Sequence, residues 1–532
     1  MSKLKTYAVY VGVLWGFLGA FALGILYQGA GQDVPLVANA RPALSNRGAF
    51  FLRESFREYH LAPPSGPFRV RNALSLAEVL YKEHLHQLAL KRYQNGGDKT
   101  LSPVLPDMEV KYDQVFRVDP GKAELSLPRQ PRFYSYEIRN RSGKTVQGPI
   151  LYKKYLWNSV PGLLKTAGFG AIPGELDRAK AIYEFLLQYH LHDYSPSEGD
   201  EEDDVVKYLA QYGYGLCDEA AGVEAALLRA VGLRARVWGL SGHVVTEAFA
   251  GGKWRLFDPD LRTYFYANAD KRAVYGVEDL STHRKYFDNY VSDLWSKDLP
   301  YPETDKGIFL STGDNNISDD LPVSTTTVLS YRLRPGEKMV FTNFNWGKPY
   351  LPIFHPQPLK RYYNGYFEYT VKPMEMQVDR SIDISGTGDG LELSNESSGE
   401  TSYARLEFSS PFPIVGGEIS VIVRKKTGEP YFMIFDRDGG KDLSFALGKN
   451  RNAFNWTTSF DTRQTGPVFY YVLGIKMPPG SRLRLSKLSV RTEFQFGRLP
   501  LLELLKGDNR FHAYFPQGSR PEQFESSFFV KY

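Results

Sequence analysis

The chain has almost no cysteine. Cys217 stands alone among 532 residues. This excludes an internal disulfide and any centre built on several thiolates, such as a Cys-rich zinc or iron–sulfur site. Large secreted eukaryotic domains normally carry disulfides, so their lack points to a bacterial envelope protein. Charge of one sign is scarce too: 65 Lys and Arg against 60 Asp and Glu leave +5, too little over this length to specify a nucleic-acid partner. Only one long uncharged run exists, which excludes a polytopic membrane protein. Internal repeats and long low-complexity tracts are missing as well. Hydrophobic residues at 42% and charged residues at 23% place the chain among globular proteins, with roughly three or four domains at ~100–200 residues each.

Aromatic residues are plentiful. The 35 Tyr and 34 Phe suit β-rich domains and sugar-facing surfaces. Asn140, Asn316, Asn395 and Asn455 each begin an N-x-S/T pattern, short enough to arise by chance. The uncharged run is Tyr7–Tyr27, preceded by Lys3 and Lys5. As a helix rising ~1.5 Å per residue it spans about 30 Å, the thickness of a bilayer's hydrocarbon core. A cleaved signal peptide would have a shorter apolar stretch and a small-x-small site close behind it, but the best such site, Ala38-Asn39-Ala40, is distant. The expectation is an uncleaved anchor with the N-terminus in the cytoplasm and the bulk of the chain outside. Gly12, Gly16, Ala20 and Gly24 recur every fourth residue, a spacing that lets two membrane helices approach and form a homodimer, although glycine is also simply frequent in such spans.

Beyond the anchor, residues 31–66 read as a linker plus an irregular segment. Ser75-Leu76-Ala77-Glu78 fits a capping box opening a helix. His84 and His86 on it are two apart, a spacing that does not face one metal. From Val110 to Leu151 short alternating stretches are broken by Asp119-Pro120-Gly121 and Arg141-Ser142-Gly143, the pattern of a small β region. Past the polar stretch Ser311–Asn316 nearly everything alternates as strands, with turns at Thr427-Gly428, Asp438-Gly439-Gly440 and Pro478-Pro479-Gly480. That spacing predicts a β-sandwich or jelly roll.

The chemistry gathers around the single thiol. Gly213-Tyr214-Gly215-Leu216-Cys217 leads into an alanine-rich amphipathic stretch ending near Gly232, so Cys217 falls in the first turn of a helix. Free N–H groups and the positive end of the dipole favour a thiolate there and could receive an oxyanion. His243–Phe249 and Lys253–Asp258 flank Gly251-Gly252, a hairpin signature. With a two-glycine turn, Ala250 pairs with Lys253. His243 and Asp258 then become diagonal neighbours on one face, and Asp260 sits opposite His243 as the rival carboxylate. A thiol, an imidazole and an orienting carboxylate are the parts of a cysteine acyl-transfer site. Each part alone has a plainer explanation, as a buried small residue, a satisfied strand histidine or a turn aspartate; the order and spacing together are more specific.

Gly215-x-Cys217, Arg234-Ala235-Arg236, Gly242-His243-x-x-x-Glu247, Trp254 and Asp258-Pro259 resemble the core motif of the transglutaminase-like superfamily, over about residues 175–265. The resemblance implies a papain-like fold with Cys217 as nucleophile, His243 as base and Asp258 as orienting acid. Val245 departs from the pattern, standing where the family often has tryptophan. Gln211 has the spacing of a papain-like oxyanion glutamine, with Tyr212 and Tyr214 as other candidates.

The resulting expectation is an α+β chain. Residues 1–30 form a cytoplasmic stub and transmembrane helix, 31–155 a mixed α/β region, 156–310 the papain-like transglutaminase core and 311–532 a C-terminal β-sandwich region. The acidic run Glu198–Asp204 and the Asp436–Asp442 turn hint at calcium but read better as a solvated loop and a hairpin turn. No cofactor or metal is called for. The expected activity is a membrane-anchored extracytoplasmic amide or peptide hydrolase or acyltransferase using Cys217, His243 and Asp258. Its partners would be a protein or peptide amide, with envelope glycan as a further ligand, and no nucleic acid. The contrasting expectation is an envelope scaffold or glycan- or peptide-binding protein on the same fold without catalysis.

Overall fold

Alternation along the C-terminal strands sets the frame. In Ser402–Thr427 the side chains of Ala404, Leu406 and Phe408 are buried while Glu407 and Ser409 face solvent, as a pleated strand with one covered face requires. The computed structural model describes residues 114–192, 204–240, 243–266, 268, 271–282, 290–292, 316–318, 323–344, 362–386, 390–435, 445–446, 454–460 and 468–532. The run Tyr7–Tyr27 with Gly12, Gly16, Ala20 and Gly24, the segment from Ser75 with His84 and His86, the acidic run as far as Asp203 and the Asp436–Asp442 turn lie outside the described residues. Among the described residues no helix is long and apolar enough to cross a membrane.

The fold is mixed α/β with a large share of sheet. Among the described residues its main sheet has fourteen strands. The path runs Gln114–Val118, Phe524–Lys531, Phe133–Asn140, Lys338–Thr342, Tyr363–Thr370, Arg482–Phe496, Ser402–Thr427, Val468–Met477, Tyr431–Phe435 and Phe445–Ala446, with antiparallel neighbours throughout. The strands near the start of this list and those of the C-terminal half thus share one ladder. Phe133–Asn140 is hydrogen-bonded on one side to the last strand of the chain and on the other to Lys338–Thr342. These ladders cross both boundaries that the sequence suggested, after 155 and after 310. Alternation tells a strand which face to bury and carries no address for its partner.

Two of the four sequon asparagines serve this frame. Asn140 and Asn395 are fully buried, and each amide donates to two backbone carbonyls while its oxygen accepts from the N–H two residues on. Both pin turns at strand ends.

The helical segment is inserted into the same core. Helix α1 (Val160–Ala167) starts on a Ser159 cap, whose Oγ accepts from the Gly162 N–H at 3.3 Å, and stops at Gly168 with φ 69°. Helix α2 spans Glu175–Tyr189 and helix α3 Cys217–Ala230. A four-stranded sheet lies beside them, made of β1 (Ala235–Leu240), β2 (His243–Ala250), β3 (Lys253–Phe257) and Asn316–Ser318 on the edge next to β1. One hydrophobic cluster runs from Tyr136, Phe341 and Phe494 of the large sheet to Phe185, Ala221 and Leu227 of the helices. A second fills the far end of the large sheet around Leu406, Ile475 and Val490.

Candidate active site

The chain approaches Cys217 through glycines because nothing larger fits. A Cβ on Gly215 would lie 2.6 Å from the Tyr208 ring, and Gly213 adopts φ 77° with its own added Cβ 3.3 Å from Gly497. Leu216 then takes an extended conformation and donates its N–H to Glu219 Oε2 at 2.7 Å, and Cys217 becomes the first residue of α3. The helix ends as the sequence suggested, with Gly232 at φ 84° and the Leu233 N–H returning to Leu228 O at 3.0 Å. Cys217 is a free, half-buried thiol in the first turn of α3.

His243 opens β2. The Gly251-Gly252 turn has both residues at positive φ, 60° and 76°, and the register runs Lys253 to Ala250 through Phe257 to Thr246. This is the two-residue turn whose geometry matches the strands' twist. The Thr246 hydroxyl donates to the Ala221 carbonyl at 2.9 Å, fixing β2 on α3. Two turns of small alanines at that contact let helix and sheet approach closely. His243 Nε2 lies 2.7 Å from Asp258 Oδ2, while Asp258 Oδ1 accepts the Leu261 N–H at 2.9 Å. One ring nitrogen of His243, the Cys217 sulfur and an Asp260 oxygen all lie within 4.8 Å of one another. Burial alone would lower the imidazole's pKa. The Asp258 carboxylate, hydrogen-bonded to it, and the neighbouring Cys217 sulfur outweigh that and hold it well above the usual histidine range.

The two carboxylates that sequence spacing offered as rivals occupy different places. The ladder of β3 stops at Phe257, and Asp258 turns to form an isolated bridge with Thr263. Asp260 is therefore carried out of register, to within 4.8 Å of the Cys217 sulfur. There Asp260 Oδ1 meets His190 Nε2 at 3.3 Å, and His190 Nδ1 meets the Tyr208 hydroxyl at 2.6 Å. His190 caps the C-terminal end of α2, and Arg262 Nη1 donates to Leu187 O at 2.8 Å, tying the same loop to the same helix. All three of Tyr208, His190 and Asp260 are buried. Sequence reasoning missed His190 and Tyr208. What brings His190 to the stretch leading into Cys217 is a two-residue parallel pairing of Leu191–His192 with Tyr214–Gly215, too short to leave a periodic signal.

Gln211 sits in a six-residue π-helical turn, Lys207–Tyr212, that starts on Asp204, whose Oδ1 accepts the Val206 and Lys207 N–H groups. The one described member of the acidic run is thus a capping residue. The Gln211 amide is buried and its Nε2 donates to the Pro411 carbonyl at 2.7 Å. The structure commits it to the large sheet, where the spacing argument wanted it in the site. Tyr214 accepts from Gln495 Nε2 at 2.9 Å, and Tyr212 is buried against it. Val245 is buried and paired across the ladder with Trp238.

Below the site lies a supporting layer. Arg236 is hydrogen-bonded to Glu247 at 2.7 Å and stacked on the rings of Trp238 and Trp254. Glu247 also accepts the Val277 N–H at 2.7 Å. On α3, two turns below Cys217, Glu224 is wholly buried beside Thr246, whose hydroxyl donates to the Ala221 carbonyl. Desolvation pushes the Glu224 carboxyl well above the ordinary range.

Residues 167–259 match the family model of the transglutaminase-like superfamily, and this segment is a transglutaminase-like domain. The match takes in Cys217, His243 and Asp258 and ends one residue before Asp260. Members of that superfamily are commonly cysteine enzymes. No curated protein sequence matches the chain. Among solved structures, the enzymatically active domain of bacteriophage CBA120 tailspike protein 4 matches at 7% identity and TM-score 0.18, over 23% of this chain and 19% of its own. The chain thus spans about a fifth of that tailspike domain. The xylan-binding module CBM86 from Roseburia intestinalis matches at 14% identity and TM-score 0.18, over 24% of this chain and 95% of that one. A family 29 carbohydrate-binding module matches at 12% identity and TM-score 0.18, over 24% and 88%. At such TM-scores the likeness carries no argument about fold or function.

Proposed function

We propose that this protein is a cysteine acyl-transfer enzyme acting on amide bonds, with Cys217 as nucleophile, His243 as general base and acid, and Asp258 as the group that orients the imidazole. The observation that carries the reading is the 2.7 Å contact of His243 Nε2 with Asp258, on a ring that also has the sulfur at the start of α3 within 4.8 Å of one of its nitrogens. Asp258 accepts the Nε2 proton, which leaves the other ring nitrogen to take the thiol proton. The thiolate attacks the amide carbon, and the oxyanion is received by N–H groups of the first turn of α3. As the C–N bond breaks, the imidazolium returns its proton to the departing nitrogen. A thioester remains. Water or an amine then attacks it, His243 takes a proton from the attacking group, and the C–S bond breaks to release the thiolate.

In this reading the papain-like arrangement supplies the chemistry and the β-rich remainder binds a peptide or an envelope glycan. The run Tyr7–Tyr27 behind Lys3 and Lys5 supports anchoring in the cytoplasmic membrane with the rest of the chain outside.

The test has two parts. Metal-free protein is treated with iodoacetamide at pH 6, where a thiolate held by an imidazolium reacts and an ordinary thiol of pKa ~8.5 is sluggish. The chain is then screened against peptide, peptidoglycan and protein-amide libraries beside Cys217→Ala. Rapid labelling and turnover lost in the variant are the expected results. A folded chain whose Cys217 resists labelling is instead the non-catalytic scaffold, and equal turnover by both forms moves the active site elsewhere.

A further inference from the structure

The triad is complete without Asp260, yet the fold brings this second carboxylate to within 4.8 Å of both the Cys217 sulfur and a His243 ring nitrogen. For acyl transfer alone the arrangement is awkward. A second anion near the sulfur opposes a thiolate by like charge, and burying a carboxylate is costly. The side chain is nonetheless held deliberately, by His190 and through it by Tyr208, with the loop tied to α2 by Arg262.

A divalent transition metal removes the conflict. One thiolate, one imidazole nitrogen and one carboxylate oxygen form a donor set that zinc takes in four-coordinate sites, with bonds of about 2.0–2.3 Å. Ligand atoms at the corners of such a tetrahedron are roughly 3.5 Å apart, so the three groups, within 4.8 Å of one another, need to close by about an ångström on binding. The surroundings are those of a metal site as well. A ligating histidine characteristically donates its other ring N–H to a carboxylate, as His243 does to Asp258 at 2.7 Å, and a ligating carboxylate is itself hydrogen-bonded, as Asp260 is by His190 at 3.3 Å. Cys217 is half-buried, so solvent reaches the thiol.

We infer that Cys217, His243 and Asp260 form a binding site for a divalent transition metal of the zinc type, and that the metal reversibly silences the thiol. Binding replaces the thiol proton, which is released to solvent, and occupies the nitrogen that otherwise accepts it. The inhibitory consequence rests on the acyl-transfer reading; the binding site does not.

The test uses the full chain in detergent, stripped of metal with a chelator, and Co²⁺ as the probe. One Co²⁺ per chain should bind with thiolate-to-metal charge-transfer absorption and the visible bands of a four-coordinate ion. Prior alkylation of Cys217 should abolish the signal. Asp260→Asn, and separately His190→Gln, should weaken binding by about 10–100-fold. Zn²⁺ should displace the cobalt and slow iodoacetamide labelling of Cys217 until chelator restores it. The inference falls if Co²⁺ gives no thiolate band, which would mark any bound metal as adventitious, or if both variants bind as tightly as the native chain. His190→Gln decides the matter should Asp260→Asn not fold. A metal-free chain that fails to label at pH 6 would sink the catalytic reading alone, because the cobalt titration still reports on the site.

Discussion

Asp258 and Asp260 show how much a single residue's surroundings decide. Two carboxylates a residue apart flank one imidazole, and only Asp258 holds its Nε2. Asp258→Asn keeps the shape and removes the acceptor charge, so kcat should fall on the order of 10⁴-fold with little change in KM, as seen when the orienting acid of a triad is neutralised; steady-state kinetics on whichever amide the screen yields would check this. His243 makes a second prediction through pH. Its folded pKa is raised, so its contribution to stability is fully present below about pH 6.5, the unfolded value, and is lost as pH climbs through the folded one. Melting curves of the native chain and His243→Gln between pH 6 and 9 should therefore converge as pH rises. A gap that widens instead would mean the imidazole is held neutral.

At the scale of elements, α3 and the β2–β3 hairpin carry the site together. Glu224 is a buried acid on α3 whose folded pKa is raised by desolvation. Such a group opposes folding increasingly as pH rises above its unfolded value of about 4.5. Glu224→Gln should accordingly raise the melting temperature at pH 7 and leave it nearly unchanged at pH 4, read by differential scanning calorimetry. The hairpin depends on a backbone that L side chains resist. Gly252→Ala forces a Cβ into φ 76° and should cost about 1–2 kcal/mol in denaturant unfolding. Because the Gly251-Gly252 register brings His243 to Asp258, the same variant should also slow iodoacetamide labelling of Cys217.

At the scale of the whole molecule, the transglutaminase-like segment and the large sheet share one hydrophobic core. Gly497 packs so closely on the π-helical turn that a Cβ there would stand 2.6 Å from the Leu209 carbonyl, and its N–H donates to Ala210 O at 2.8 Å. Gln211 reaches Pro411, and Tyr214 accepts from Gln495. The shared cluster runs across the join. A fragment of residues 156–310 should then be insoluble or lack a cooperative melt, whereas 114–532 should unfold in one transition with its Cys217 reactive. An independently folded 156–310 fragment would show that the shared core is dispensable.

The elements nearest the chemistry were legible because their signals are local. A Gly-rich approach, a helix opening on Cys217, a two-glycine turn and the His243–Asp258 spacing are each set by the backbone preferences of adjacent residues. What could not be read is what depends on distant partners. Asp260 leaves the expected register because β3 ends early, and Gln211 turns to a carbonyl two hundred positions away. His190 joins the site through a pairing of two residues, and the N-terminal strands find their partner at the end of the chain. By itself the sequence determined which residues become helix, strand and turn and which three groups could meet over a short span, because dihedral preference and alternation are properties of neighbours. Only the tertiary structure decided which carboxylate comes near the sulfur and which holds the imidazole's Nε2, because that choice is made by packing and hydrogen bonds between segments that share no neighbours in the chain.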